Sequence, residues 1–375
     1  MFKPSLRSNW SYIGLGLLAM LIFYFAQSKS STVKDEIKLT AAHNMRHYME
    51  ILKDESIARG YVINTDVDKL ETGIIGVERD SSLVTTSYGS LSRRVTALNP
   101  NMAAVIVDLI QQADIKTGDY VAIGLTGAIP GTNLAVYAAC EAMKLKPVVI
   151  SSVGSAEYGA NRNDFTWLDM ESVLQQEGAI SFRSSYASMG GNWDIATGMG
   201  RSRQQALEKA ITRNNLNPNT LKGETDNPAS LIRKRMDAYN REIPAGKRFK
   251  LFINIGAGFA NIGHLVNTTK LKTGLNTSLN ELEFEIEGVM MEFANWVPVI
   301  HINNTEKLAL DYNLSIEAEN FKPLGEGQVY EIKRVNQTFA AIGLLILLVA
   351  IFVVVMFDRK DRHFTSNIVD HDLEL

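Results

Sequence analysis

The sequence predicts an α/β domain with a mostly parallel sheet flanked by helices, tethered by one transmembrane helix at each end. Three observations support this fold class: strand-like and helix-like segments alternate, the strand-like segments are apolar almost throughout, and a long charge-free segment lies near each terminus. Strands are apolar along their whole length where helices cover both faces of a parallel sheet. The 375 residues are 46% hydrophobic and 21% charged, which is the composition of a folded protein.

The two charge-free segments, residues 10–27 and 338–357, are expected to be transmembrane helices. About 20 apolar residues in a helix cross a hydrocarbon core of roughly 30 Å. The first segment also fits the apolar part of a signal peptide. No small-x-small cleavage site follows it, however, which favours an uncleaved anchor.

Two spans place both termini on the same side of the membrane. The predicted organisation has tails at residues 1–9 and 358–375, a juxtamembrane helix at 28–60, and an α/β domain at 61–335. Lysine and arginine flank both ends of each span, so the positive-inside rule favours cytoplasmic termini only slightly. We expect a two-pass protein of the inner (cytoplasmic) membrane, with cytoplasmic tails and an extracytoplasmic domain.

Residues 33–60 carry apolar side chains at helical spacing, and Gly60 is placed to end the helix. His43 and His47 lie four apart on this helix, a spacing that suits a metal site or a solvated helix face. No third ligand is evident nearby, so no metal is expected. The single cysteine, Cys140, excludes an internal disulfide and a cysteine-based zinc site, and its alanine-rich helix favours a buried hydrophobic role.

From about residue 61 the chain alternates between helix-like and strand-like segments. The expected strands are residues 119–125, 146–153, 249–258 and 297–304, and the expected helices are residues 103–115, 133–145, 203–215, 230–243 and 305–314. A strand, a helix and a second strand form the right-handed crossover of a parallel sheet. Ligands of such sheets bind at the carboxyl ends of the strands, so the loops that follow the strands are the candidate sites.

The loop "GLTGAIPGTN" follows a strand and opens a helix, which is the local pattern of an anion site. Its candidate ligand-binding residues are Gly124, Thr126 and Gly127. The glycine spacing does not match the dinucleotide fingerprint, and the lysine of a P-loop is absent, so no nucleotide cofactor is expected. A carboxylate site and a purely structural turn both remain open.

The second loop, residues 151–171, is polar and long for a compact domain, which is typical of a functional segment. Its candidate ligand-binding residues, with those of the third loop at 253–264, are Ser151, Ser155, Asn161, Asp164, Gly256 and Gly258. Catalysis would need a serine nucleophile and a histidine base, for which the candidates are Ser152, Ser155, Asp169 and His264, with His301 as a second histidine. The nucleophile-elbow motif G-x-S-x-G is absent from the chain, and either histidine also fits a structural role.

The stretch from "GDYVAIGLTGAIPGTN" to "FTWLDME" resembles the membrane-anchored poly-γ-glutamate system protein family. The later stretches "INIGAGFANIGH", "VPVIHINN" and "PLGEGQVY" fit the same family in order, so the resemblance covers roughly residues 100–330. It implies a role in making, exporting or anchoring poly-γ-glutamate, as a capsule or released polymer. It brings no catalytic residues with it.

Poly-γ-glutamate is a polyanion with one free α-carboxylate on each unit, so binding it requires a local positive patch. The candidates are Arg162, Arg183, Arg201 and Arg203, although surface arginines are commonly only solvated. The expected function is an accessory subunit whose partners are the synthase membrane subunits, the polymer or both, together with membrane lipid. An extracytoplasmic hydrolase or transferase with a Ser/His site is the alternative, and a structural scaffold is a third hypothesis. With a net charge of −3 and no basic tract, nucleic acid is not an expected partner.

Overall fold

The computed structural model describes residues 9–28, 31–224, 227–334 and 337–371. Two compact units are present: unit 1 comprises Met1–Lys34 with Glu331–Leu375, and unit 2 comprises Asp35–Tyr330. Almost all of the tail predicted at residues 1–9 lies outside the described residues, as does the end of the tail predicted at 358–375.

Twelve helices and twelve strands occur in the described ranges, besides short 3₁₀ turns. The strands are β1 (Ser31–Lys34), β2 (Thr85–Ser87), β3 (Tyr120–Thr126), β4 (Lys146–Ser152), β5 (Ser155–Ala156), β6 (Asn161–Arg162), β7 (Phe165–Thr166), β8 (Tyr186–Ser188), β9 (Phe249–Ile255), β10 (Gly274–Asn276), β11 (Val299–Ile302) and β12 (Glu331–Arg334). The helices are α1 (Asn9–Ser28), α2 (Glu36–Ala58), α3 (Leu91–Ala97), α4 (Asn101–Gln112), α5 (Pro130–Met143), α6 (Trp167–Gln176), α7 (Arg201–Arg213), α8 (Pro228–Glu242), α9 (Phe259–Ile262), α10 (Val289–Ala294), α11 (Thr305–Asp311) and α12 (Gln337–His371).

Unit 1 contains a pair of apolar helices and a two-stranded ribbon. The mean hydropathy is 1.5 over α1 and 3.2 over residues Gln337–Met356 of α12, and both segments are long and apolar enough to cross a membrane. Helix α1 packs on α12, and a Cβ added at Gly343 would lie 2.2 Å from Ile22 Cγ2, so glycine permits this close approach. Strand β1 pairs with β12 in antiparallel register.

The centre of unit 2 is a six-stranded sheet in the order β10-β11-β9-β3-β4-β8. Its strands are parallel except β10, which runs antiparallel to β11. The chain enters this sheet at β3 and adds β4 and then β8 on one side. It then returns to the other side of β3, where it adds β9 and β11. The strand order therefore reverses between β3 and β9, the position at which open α/β sheets form their binding crevice.

Helices cover both faces of this sheet, as the apolar strands predict. Along β3, Val121 and Ile123 pack in one core cluster with α2, α4 and α5, whereas Ala122 packs in a second cluster with α8 and α10. Alternate residues of a strand point to opposite faces, so this separation requires an apolar residue at each position. Cys140 is fully buried in α5, and burial raises the pKa of its thiol.

Helix α2 begins at Glu36, three residues later than the periodic pattern indicates. Val33 belongs to β1, and the Asp35 carboxylate caps the helix by accepting from Ile37 N at 2.9 Å. His43 and His47 both lie on the exposed face of α2. The buried face of the helix supplies Ala41, Met45, Tyr48 and Leu52 to the core.

Candidate functional site

A pocket of about 850 Å³ opens at the carboxyl ends of the central strands of unit 2. We call it the Arg94 pocket, after a buried arginine that lines it. Five of the residues singled out from sequence line it: Thr126, Ser152, Ser155, Gly256 and Gly258. They follow or end β3, β4 and β9, so the switch in strand order does produce a cavity at this edge of the sheet.

Arg94 is the most unusual side chain of this pocket. It lies on α3, which Ser90 caps, and only 6% of its surface is exposed. Within the described ranges it forms no ion pair, and its Nε has no hydrogen-bond partner. A buried cation is normally paired, so Arg94 leaves a positive charge without an anion.

The charge of the pocket is entirely positive. Arg93 and Arg94 are the charged residues among those that line it. Arg93 lies 3.6 Å from Glu306, whereas burial, with a smaller contribution from Arg93, lowers the pKa of Arg94 to about 10. Arg94 is therefore still protonated at neutral pH, and a largely buried positive charge lies at the wall of the cavity.

Gly89 makes room for this guanidinium. A Cβ at position 89 would lie 2.9 Å from Arg94 Nη2 and 2.3 Å from the Glu157 carbonyl oxygen. A second close approach occurs at Gly256, where φ is +85° and a Cβ would lie 2.8 Å from Thr126 Oγ1. These glycines allow the segments after β2, β3 and β9 to converge on one cavity.

A buried polar network lies beneath the pocket at Ser152. Ser152 Oγ donates to Asp194 Oδ1 at 3.1 Å, and Ser188 Oγ donates to the same oxygen at 2.8 Å. Arg235 Nη2 donates to Asp194 Oδ2 at 2.5 Å and to Ser188 Oγ at 2.8 Å. Arg235 and Asp194 are 1% and 2% exposed, so this is a fully buried ion pair.

The same ion pair supports a strained segment of the pocket wall. Trp193, Asp194 and Ala196 adopt φ values of 54°, 60° and 54°, in a region that residues other than glycine rarely occupy. Each such residue costs on the order of 1–3 kcal/mol unless its surroundings enforce the conformation. The Asp194–Arg235 pair and the ring contact of Trp193 with Phe259, at 4.8 Å, are the enforcing contacts.

The loop "GLTGAIPGTN" lines the pocket through Thr126, Ala128 and Ile129, but two of its backbone amides are used within the protein. Gly127 N donates to Ser152 O at 2.9 Å, and Ala128 N donates to Thr126 Oγ1 at 3.2 Å. Neither Gly124 nor Gly127 lines the pocket: a Cβ at Gly124 would lie 2.3 Å from Asn261 Nδ2. The amide of Gly127 is therefore already used within the protein.

Four other residues predicted from the sequence stabilise the second loop instead of lining the cavity: Ser151, Asn161, Asp164 and Asp169. Ser151 Oγ bonds Ser184 Oγ at 2.6 Å, and Asn161 Nδ2 donates to Val77 O at 2.8 Å. Asp164 accepts from Tyr61 Oη at 2.7 Å.

Asp169 caps α6 in a capping box with Thr166 and pairs with Arg213. Burial raises the pKa of Asp169, but the hydrogen bonds and charge of Arg213 outweigh that effect and hold the pKa below its usual value.

The predicted serine and histidine candidates are not paired. Ser155 Oγ donates to Gly127 O at 2.8 Å, and His264 caps a 3₁₀ turn through Val266 N at 3.4 Å. His301 Nδ1 lies 2.8 Å from Asn254 Nδ2, and burial lowers the pKa of His301 to about 4. Neither histidine is among the residues that line the pocket.

The four arginines proposed from sequence also lie away from the pocket lining. Arg162 Nη2 donates to Ile75 O at 3.3 Å, Arg183 Nη1 donates to Ser172 Oγ at 3.1 Å, and Arg203 Nη2 donates to Thr85 O at 2.9 Å. Arg201 is exposed. Sequence reasoning missed Arg94, although it falls at helical spacing with apolar neighbours.

Comparison with known proteins adds little to this description. No family model and no curated protein matches the chain. The crystal structure of an archaeal alanine:glyoxylate aminotransferase is similar at 12% identity and a TM-score of 0.16, with 96% of this chain and 62% of that chain covered. The chain thus spans about three fifths of that structure's length, and a score at this level carries no argument about fold or function.

Proposed function

We propose that this protein is a membrane-anchored accessory subunit of a poly-γ-glutamate synthesis and export system, and that the Arg94 pocket binds carboxylates of the polymer. In this proposal α1 and α12 cross the inner membrane, both termini are cytoplasmic, and unit 2 is outside. The synthase membrane subunits are the expected protein partners.

The observation that carries the proposal is the buried Arg94 guanidinium, which pairs with no acid among the described residues and lies in a pocket whose described lining contains no carboxylate. Burying a cation without a partner costs free energy, and a bound carboxylate recovers it. The planar fork of an arginine pairs with both oxygens of a carboxylate, and such bonds are about twice as strong as neutral ones.

The polymer follows from the resemblance of residues 100–330 to the poly-γ-glutamate system proteins. Each unit of that polymer offers one free carboxylate, which is the group that Arg94 lacks. A cavity of about 850 Å³ is within the range that binds small ligands, so it has room for a short stretch of the chain.

The alternative is an extracytoplasmic hydrolase or transferase acting on the same polymer. Within the described residues no histidine lines the pocket, and the Ser155 hydroxyl donates its hydrogen bond to Gly127 O. We therefore favour the binding function over the hydrolase or transferase alternative.

Binding of poly-γ-glutamate to the full chain in lipid nanodiscs tests the proposal. We expect affinity that falls steeply with added salt, as ion contacts are screened. Arg94→Gln should weaken binding by about tenfold or more, since a hydrogen bond to a charged group contributes about 1.5–3 kcal/mol. Arg233→Gln is the matched control, because Arg233 is exposed on α8 and does not line the pocket.

Two results would contradict the proposal: no binding at low salt, or equal binding by Arg94→Gln and wild type. Polymer length is recorded in the same samples. Shortening of the polymer by wild type, and not by Ser155→Ala, would move the assignment to the hydrolase.

A further inference from the structure

A second arginine lies at the mouth of the Arg94 pocket. Arg79 Cζ is 4.3 Å from the centroid of the Tyr88 ring, and Tyr88 lines the pocket with 76% of its surface exposed. A guanidinium over an aromatic ring is attracted by the negative face of that ring. Tyr88 therefore holds a positive charge beside the point at which the pocket opens to solvent.

The guanidinium of Arg79 has no acid as a partner in the described ranges. Its Nε is buried without a hydrogen-bond partner, and no described carboxylate forms an ion pair with it. Glu157 Oε1 contacts Arg79, but it accepts from the backbone N, at 3.3 Å. The sequence neighbours Glu78 and Asp80 are both exposed. Because Arg79 is half-buried, water shields its charge only in part, and an anion would compensate it.

Arg79 and Arg94 lie against adjacent residues of one rim segment, Tyr88 and Gly89. A Cβ added at Gly89 would lie 2.9 Å from Arg94 Nη2, while the Tyr88 ring contacts Arg79. Arg94 thus lines the pocket, Arg79 lies at its mouth, and the dipeptide between them contacts both.

We propose that Arg79, positioned by Tyr88, forms a second carboxylate subsite, so that one ligand chain places one carboxylate at Arg94 and another at Arg79. This inference rests on the proposed function and narrows its ligand to an oligomer with several carboxylates. A ligand with a single carboxylate fills only one of the two subsites.

The second contact favours a chain over a single unit for two physical reasons. Once Arg94 holds one unit, the contact of another unit with Arg79 is intramolecular and benefits from a high effective concentration. Tyr88 also restricts the Arg79 side chain before binding, so less conformational entropy is lost when the second carboxylate arrives. The affinity should therefore depend on ligand length through Arg79.

Capped γ-glutamyl ligands of increasing length, beginning with a single unit, test this inference on the full chain in lipid nanodiscs. Arg79→Gln should weaken oligomer binding by about threefold to tenfold, the effect of one partly exposed contact between charged groups, and leave the single unit unchanged. Arg233→Gln removes the same charge from an exposed position on α8 and should match wild type for every ligand. Longer ligands also offer more binding registers, but that effect is the same for all variants.

Tyr88→Ala keeps the charge of Arg79 and removes the ring that positions it, so it should also weaken the oligomers and spare the single unit. Binding of the single unit shows that each variant retains the Arg94 subsite. Equal oligomer affinity of wild type and Arg79→Gln would overturn this inference and leave the proposed function standing, as would an equal loss for single unit and oligomers in both variants. Failure of wild type to bind any of these ligands would overturn the proposed function itself.

Discussion

Two arginines are buried in unit 2, and their surroundings differ in one respect. Arg235 pairs with Asp194 at 2.5 Å and also donates to Ser188. Arg94 is buried almost as deeply, yet no described acid pairs with it. An unpaired buried charge is costly, so Arg235 supports the structure, whereas Arg94 is the residue to which the proposed function assigns a ligand carboxylate.

A third buried ionisable group shows another outcome. Glu171 is fully buried, and its described hydrogen-bond donors, Tyr137 Oη with Ser184 Oγ and N, include no cation. Burial raises the pKa of Glu171 to about 7, although these hydrogen bonds lower it. Arg235 is thus neutralised by an ion pair and Glu171 by protonation, whereas Arg94 has no described acid as a partner.

The largest expected effect comes from breaking the matched pair. Arg235→Met should lower the free energy of unfolding by about 3–5 kcal/mol, because Asp194 would be left as an uncompensated buried charge. The drop in thermal midpoint of the full chain measures this. Adding Asp194→Asn to Arg235→Met should recover part of the loss, because asparagine is neutral and tolerates the left-handed backbone at this position. An Arg235→Met variant as stable as wild type would contradict the assignment.

The proton on Glu171 gives a pH-dependent effect. Its pKa is higher in the folded chain than its ordinary 4.5, so its contribution to stability is complete below about pH 4.5 and is lost as pH rises to about 7. At about 1.4 kcal/mol per pH unit, the loss approaches ~3 kcal/mol and then levels. Thermal midpoints at pH 4.5 to 8 test this, and Glu171→Gln should flatten the profile. If the thermal midpoint of Glu171→Gln depended on pH as steeply as that of wild type, the assignment of this effect to Glu171 would be refuted.

The unmatched arginine gives the smallest effect on stability, with the opposite sign. Arg94→Met should raise the free energy of unfolding by about 1 kcal/mol without ligand, because an unpaired buried charge is removed. Saturating poly-γ-glutamate should stabilise wild type and leave Arg94→Met unaffected. Arg233→Met serves as the surface control. Destabilisation by Arg94→Met would show that a structural partner satisfies the guanidinium.

The central strands of the sheet were predictable from sequence, whereas its edges were not. Strands β3, β4, β9 and β11 are buried on both faces, so continuous apolar runs mark them. The edge strands β8 and β10 have three residues each and show no periodicity. The predicted strand at 249–258 ends at Ile255, because Gly256 turns the backbone into the left-handed region.

The location of the pocket also followed from the sequence, but its decisive residue did not. The carboxyl ends of the strands were the right place to search, and Thr126 and Ser152 line the cavity there. Arg94 comes from a short helix far from those loops in sequence. Its position on a helical stripe with Leu91, Val95 and Leu98 was the available signal.

The first and last residues of unit 2, Asp35 and Tyr330, are adjacent in space. The Asp35 N–H donates to Tyr330 O at 2.8 Å, and β1 pairs with β12 immediately outside these residues. Residues 35–330 therefore form an insertion cassette within a helical hairpin, since adjacent ends allow a domain to be added or removed without stretching its host. Replacing the cassette with a two-residue turn between β1 and β12 would leave both apolar helices joined by an ordinary β-hairpin.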